Sequence, residues 1–79
     1  MNSYIEVETR ILKILYDSEL ADINDFSFNQ DIRKDLNLDS LSITVLISSI
    51  EEEFSTIFDE DVYEDCKNLG EVVDILIQD

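Results

Sequence analysis

Asp39-Ser40-Leu41-Ser42-Ile43-Thr44-Val45-Leu46-Ile47-Ser48-Ser49-Ile50-Glu51-Glu52-Glu53-Phe54 is the stretch that decides the fold. Ile43, Leu46, Ile47, Ile50 and Phe54 follow one another at steps of three, one, three and four, which lines one face of an α-helix. The spacing predicts a helix from Ser40 to about Thr56. Asp39 stands where an N-cap belongs, since its carboxylate can accept from a backbone N–H that the first turn leaves unpaired. Glu51, Glu52 and Glu53 lie near the far end, where the helix dipole disfavours negative charge, so the run is expected to serve something other than stability.

An amphipathic helix must bury its stripe against other elements, and the flanking sequence offers three. Before it, Val7, Ile11, Ile14 and Leu15 form a second stripe, with Glu6, Glu8, Arg10 and Lys13 off it, predicting a helix over residues 3–17. Ser3 followed by Glu6 is a capping-box pattern. Residues 59–66 predict a short third helix, and residues 69–77 a fourth, with Val72, Val73, Leu76 and Ile77 as its apolar face and Asn68 as its cap. Residues 18–38 read as a long polar connection. Leu20, Ile23, Phe26, Phe28, Ile32, Leu36 and Leu38 recur along it, and a loop of this length is expected to be functional or pinned to the core. The expectation is one all-α domain over residues 1–79, a four-helix bundle with a long first loop and a short third helix.

Composition supports helix and narrows function. The chain has 79 residues, 44% of them hydrophobic, no proline and one glycine, Gly70. Twenty acidic residues against five basic give a net charge of −15. Nucleic acid binding relies on Lys and Arg, so it is not expected, and an anionic membrane would repel the chain. Steered encounter with basic protein surfaces fits the charge. One cysteine and no histidine leave no internal disulfide and no zinc site. No Ser-His-Asp or Cys-His set can be assembled, and no phosphate-cradling glycine loop occurs. The acids at 59–65 lack the central glycine of a calcium-binding helix–loop–helix. No metal site and no catalysis are therefore expected. Met1 to Ile14 mixes charged and apolar residues, so no secretory leader is expected, and no run is long enough to span a bilayer. The expectation is a cytoplasmic monomer.

The segment Asp35-Leu36-Asn37-Leu38-Asp39-Ser40-Leu41, opening a helix that ends Ile50-Glu51-Glu52-Glu53-Phe54, resembles the acyl carrier protein family. The resemblance runs without gaps from about Asp35 to Leu76 and extends to the first helix. It implies 4′-phosphopantetheine, taken from coenzyme A, attached to Ser40. It also implies that Asp39 helps position metal and coenzyme A during that modification, and that Leu41 packs beside the attachment point and contacts partners. Glu51 and Glu52 match acidic positions that face partner enzymes, while Ile47, Ile50, Phe54 and Phe28 are expected in the core. Cys66 matches a buried aliphatic position. The implied partners are a phosphopantetheinyl transferase, acyl transferases, ketosynthases or an acyl-activating ligase.

The sequence departs from the familiar fatty-acid carriers along this helix. Ser42 and Val45 stand at positions that are acidic there, Ser48 where Met is usual, Thr44 at a core position that is usually aliphatic, and Asn37 where a glycine is frequent. Ser42 and Val45 are candidate partner contacts, and the altered face implies a specialised carrier for fatty acid, polyketide or related lipid biosynthesis. Two other readings stay open: a peptidyl or amino-acyl carrier, and an acidic interaction module with no arm.

Overall fold

The computed structural model describes residues 3–20, 22 and 24–78. Four helices follow in order: α1 over Tyr4–Ser18, α2 over Ser40–Phe54, α3 over Glu60–Asp65 and α4 over Leu69–Gln78. The described residues contain no strand. The molecule is the expected all-α four-helix bundle with a long first loop and a short third helix. α1 packs against both α2 and α4, and α3 lies on α2.

Each helix begins at a polar cap. Ser3 Oγ accepts from the Glu6 N–H, and Asp39 Oδ1 accepts from the Ser42 N–H at 2.8 Å. At α4 the Asn68 side-chain oxygen accepts from the Glu71 N–H, while Glu71 Oε2 reaches back to the Lys67 N–H at 2.7 Å. Two donors are thus satisfied reciprocally in the manner of a capping box. α3 starts at Asp59 without a side-chain cap bond.

The helix ends show what the sequence hid. α2 was expected to reach Thr56 but stops at Phe54, because Ser55 turns left-handed at φ 53° and sends its N–H to Glu52 O, while the Thr56 N–H closes on Glu51 O. α1 ends the same way at Glu19, φ 57°, with the Leu20 N–H bonded to Leu15 O. This is the Schellman arrangement, usually built on glycine. Here Glu19 and Ser55 occupy the left-handed positions, and Asn37 occupies a third at φ 56°. Gly70 is used differently. Its N–H donates to Phe28 O, and a Cβ there would lie 3.3 Å from that carbonyl, so the residue allows close approach of loop to helix.

The core gathers the predicted stripes: Val7, Ile11 and Leu15 from α1, Ile43, Leu46, Ile47 and Ile50 from α2, and Val72, Val73 and Leu76 from α4 are buried, joined by Leu69 at the start of α4. Ile32, Leu38, Phe58 and Cys66 complete it. Each fully buried Leu or Ile contributes about 1.5–3 kcal/mol relative to exposure. Ile14, Ile77, Phe28 and Phe54 are half-buried at its margin. Phe54 is roofed by the Arg10 guanidinium, 4.3 Å above its ring, and Phe28 meets Phe26 edge-on at 4.9 Å.

The long connection is pinned, as its apolar anchors implied. Leu20, Phe26, Phe28 and Leu36 pack against the core, while Ile23 lies outside the described residues. The Ile32 N–H donates to Lys67 O at 2.8 Å, and the Arg33 guanidinium donates to the carbonyls of Tyr63, Glu64 and Cys66. The cation therefore sits at the carbonyl end of α3, where a helix favours positive charge. Within the loop, Asp31 Oδ1 accepts from the Arg33 and Lys34 N–H groups and Asp35 Oδ2 from the Asp31 N–H, which winds residues 31–36 into a tight turn leading to α2.

Candidate functional site

The turn at residues 31–36, the left-handed Asn37 and buried Leu38 deliver the chain to Asp39 and fix where α2 starts. Asn tolerates the left-handed region better than other non-glycine residues, so Asn37 does the work that glycine would do there. Leu38 anchors through its side chain and through its N–H, which donates to Ile32 O at 3.0 Å. Asp39 then caps the helix, and its bonds to Ser42 hold the carboxyl below its ordinary affinity for a proton. The carboxylate is accordingly ionised at neutral pH.

Ser40 follows as the first residue of α2 and is exposed. Its carbonyl accepts from Thr44 Oγ1 at 2.9 Å, and among the described residues its hydroxyl makes no hydrogen bond. Thr44 is exposed, correcting its expected place in the core: one turn after Ser40 it faces solvent and ties its hydroxyl to the backbone. Leu41 is 73% exposed and Val45 47%, an apolar pair one turn apart beside Ser40, with Ser42 half-buried between them. Both are large aliphatic side chains that the bundle leaves out of its core.

The acidic run divides. Glu52 is exposed and makes no hydrogen bond or ion pair among the described residues. Glu53 Oε2 binds Arg10 at 2.8 Å, joining α2 to α1. Glu51 turns both oxygens inward, one accepting from the Phe58 N–H at 2.7 Å and the other from the Tyr63 hydroxyl. Ser48 Oγ lies 3.5 Å from the same Tyr63 oxygen. The bond to Glu51 raises the Tyr63 proton affinity above that of an ordinary phenol. The structure therefore leaves Asp39, Ser40, Leu41, Val45 and Glu52 accessible and draws Glu51 into the α2–α3 seam. Tyr63 was not singled out from sequence; an aromatic within the acidic Glu60-Asp61-Val62-Tyr63-Glu64-Asp65 was the only hint.

Cys66 is buried, with its thiol donating to Asn68 O at 3.1 Å. Burial first, and the nearby Glu71 second, push the thiol up to about 12. It behaves as a small core hydrophobe.

The arrangement around Ser40 suits a phosphate ester. The hydroxyl is open to solvent, the backbone is fixed on both sides, and the first N–H groups of a helix favour an anion. The sequence matches the family described as "Phosphopantetheine attachment site" over residues 9–76, which takes in α2, α3 and all but the ends of α1 and α4. It is also similar to the acyl carrier protein of Coprothermobacter proteolyticus, 33% identical over 63 residues that cover 80% of this chain and 77% of the relative. The cofactor of such a domain is covalently attached 4′-phosphopantetheine. A bundle with a pinned first loop, an open serine at the start of α2 and a family match across nearly its whole length place the chain in the phosphopantetheine-binding acyl carrier family.

Proposed function

We propose that Ser40 carries the phosphopantetheine arm and that the chain, itself non-catalytic, delivers thioester-bound acyl groups to enzymes of fatty acid, polyketide or related lipid biosynthesis. The observation that carries this reading is the exposed, unbonded hydroxyl of Ser40 on the first turn of a helix whose start is fixed by Asp39. When bound, the group supplies a terminal thiol on a flexible tether, which raises the effective concentration of cargo at a docked enzyme. The residues do the rest. Asp39 and the turn before it hold Ser40 still for modification, and Leu41 and Val45 offer an apolar contact beside it. Glu52 offers a charge to basic partner surfaces. The same reading makes the chain a cytoplasmic monomer; no helix of the described residues is long and apolar enough to cross a membrane.

Intact mass after incubation with coenzyme A, magnesium and a broad phosphopantetheinyl transferase tests the assignment. The wild-type chain gains the mass of one phosphopantetheine and Ser40→Ala gains none. Modification of the mutant, or none of either chain with a competent transferase, overturns it.

We further infer a specialised carrier. Support comes from α2 itself, whose exposed positions beside Ser40 are Leu41, Thr44 and Val45, with the first acidic residue of the helix at Glu51. The expected result is poor competition for a ketosynthase that serves general fatty acid synthesis. Activity equal to that of the general carrier refutes the idea.

A further inference from the structure

A groove of about 350 Å³ lies between α3 and α4. Its floor is apolar, formed by Val62, Cys66 and Ile75, and its rim is four carboxylates, Asp61, Asp65, Glu71 and Asp74. No residue of α2 and no basic residue lines it. Two of the rim acids are held in place. Asp74 Oδ1 accepts from the Tyr4 hydroxyl, and Glu71 Oε2 from the Lys67 N–H. Asp61 and Asp65 are exposed and make no side-chain hydrogen bond or ion pair among the described residues. They stand one turn apart on α3, a like-charge spacing that destabilises a helix. A cation between them removes that repulsion.

We propose that this groove docks a basic amphipathic segment of a partner protein, with an apolar side chain seated on Val62, Cys66 and Ile75 and Lys or Arg on either side against the rim. The chemistry selects this occupant. A bare metal ion would leave the apolar floor unused, and no group of three potential ligands among the described residues could hold one. A neutral apolar ligand would leave four carboxylates facing each other across it. Because α2 takes no part, a partner held here leaves Leu41, Val45 and Glu52 open. The contact is suited to tethering the carrier while enzymes exchange at Ser40.

Titration of the isotope-labelled chain with a synthetic peptide of repeating Lys-Leu-Leu-Lys, followed by amide shifts, tests the proposal. Oligolysine of equal charge is the comparison. Shifts concentrated in residues 61–66 and 71–75 are expected, with oligolysine about tenfold weaker for want of apolar burial. Asp61→Asn with Asp65→Asn weakens the Lys-Leu peptide about tenfold, whereas Asp17→Asn with Glu19→Gln, removing the same charge elsewhere, changes it less than about twofold. Ile75→Lys abolishes binding while circular dichroism stays that of the folded chain. The double variant serves as the test if Ile75→Lys unfolds. Ser40→Ala binds as the wild type does, so the outcome is independent of the arm. Shifts spread over every acidic surface, shifts centred on Leu41 and Val45, or equal binding of oligolysine overturn the proposal.

Discussion

Cys66 shows how a side chain of a reactive type can fall chemically silent once it is buried. A thiol pushed up to about 12 from its ordinary value of 9.0 holds about a thousandfold less thiolate at a given pH, and thiolate is the reactive form. Native apo-protein is therefore expected to react with a thiol-specific disulfide reagent at pH 8 orders of magnitude more slowly than the chain unfolded in guanidinium. Equal rates would mean that the thiol is open. The shift also has a stability consequence. The folded value is raised, so unfolding releases a proton above pH 9, and stability falls as pH rises from there, by up to about 1.4 kcal/mol per unit. Cys66→Val removes that dependence. Asp39, at the other end of the shift scale, joins two functions in one residue, since the carboxylate that caps α2 also fixes the neighbouring serine in space.

The seam between α2 and α3 is an element-scale device. α3 has only six residues, no buried side chain and no side-chain cap bond at its start. It is held by Glu51 through Phe58 and Tyr63, and by Arg33 at its carbonyl end. Glu51→Ala is expected to lower stability by about 1–3 kcal/mol, because two donors lose a charged acceptor, and to speed hydrogen exchange over residues 58–66 more than elsewhere. Uniform exchange across the chain would show that the seam does not hold α3. This arrangement was not legible in the sequence. Helix stripes and caps are local, so Val7 to Leu15, Ile43 to Ile50, Asp39 and Asn68 could be read from spacing alone. The Glu51–Tyr63 bond joins residues twelve apart and the Arg33–Cys66 bond residues thirty-three apart, with nothing periodic to announce either. The end of α2 was missed for another reason. Ser55 and Glu19 adopt a backbone normally signalled by glycine, and the chain's one glycine is placed where a loop comes close. Ser40 was legible because its signal is a motif at a helix start, whereas the inward turn of Glu51 depends on packing.

For the whole molecule, charge opposes compaction. A net charge of −15 is carried by a bundle with a radius of gyration of 11.4 Å, and two of the five cations, Arg10 and Arg33, are already engaged. Added salt or magnesium is expected to raise the melting temperature, and a curve left unchanged or lowered would refute self-repulsion as a dominant strain. Acid works in two directions. Asp31, Asp39 and Glu71 have lowered proton affinities from backbone N–H bonds, so the stability they contribute is present above the ordinary carboxylate range and is lost as pH falls through their lowered values. Neutralising the other carboxylates relieves repulsion meanwhile. In high salt, where repulsion is screened, melting temperature should fall below about pH 4 without a preceding rise.

The directions of these displaced affinities agree with one another. Asp31, Asp39 and Glu71 move down, while Tyr4, Tyr63 and Cys66 move up, and the chain has no histidine. Folding thus displaces each of these six groups away from pH 7. Their contribution to the electric field around the molecule is in effect clamped. Each of these six side chains accordingly keeps one charge state through the range in which a histidine would toggle.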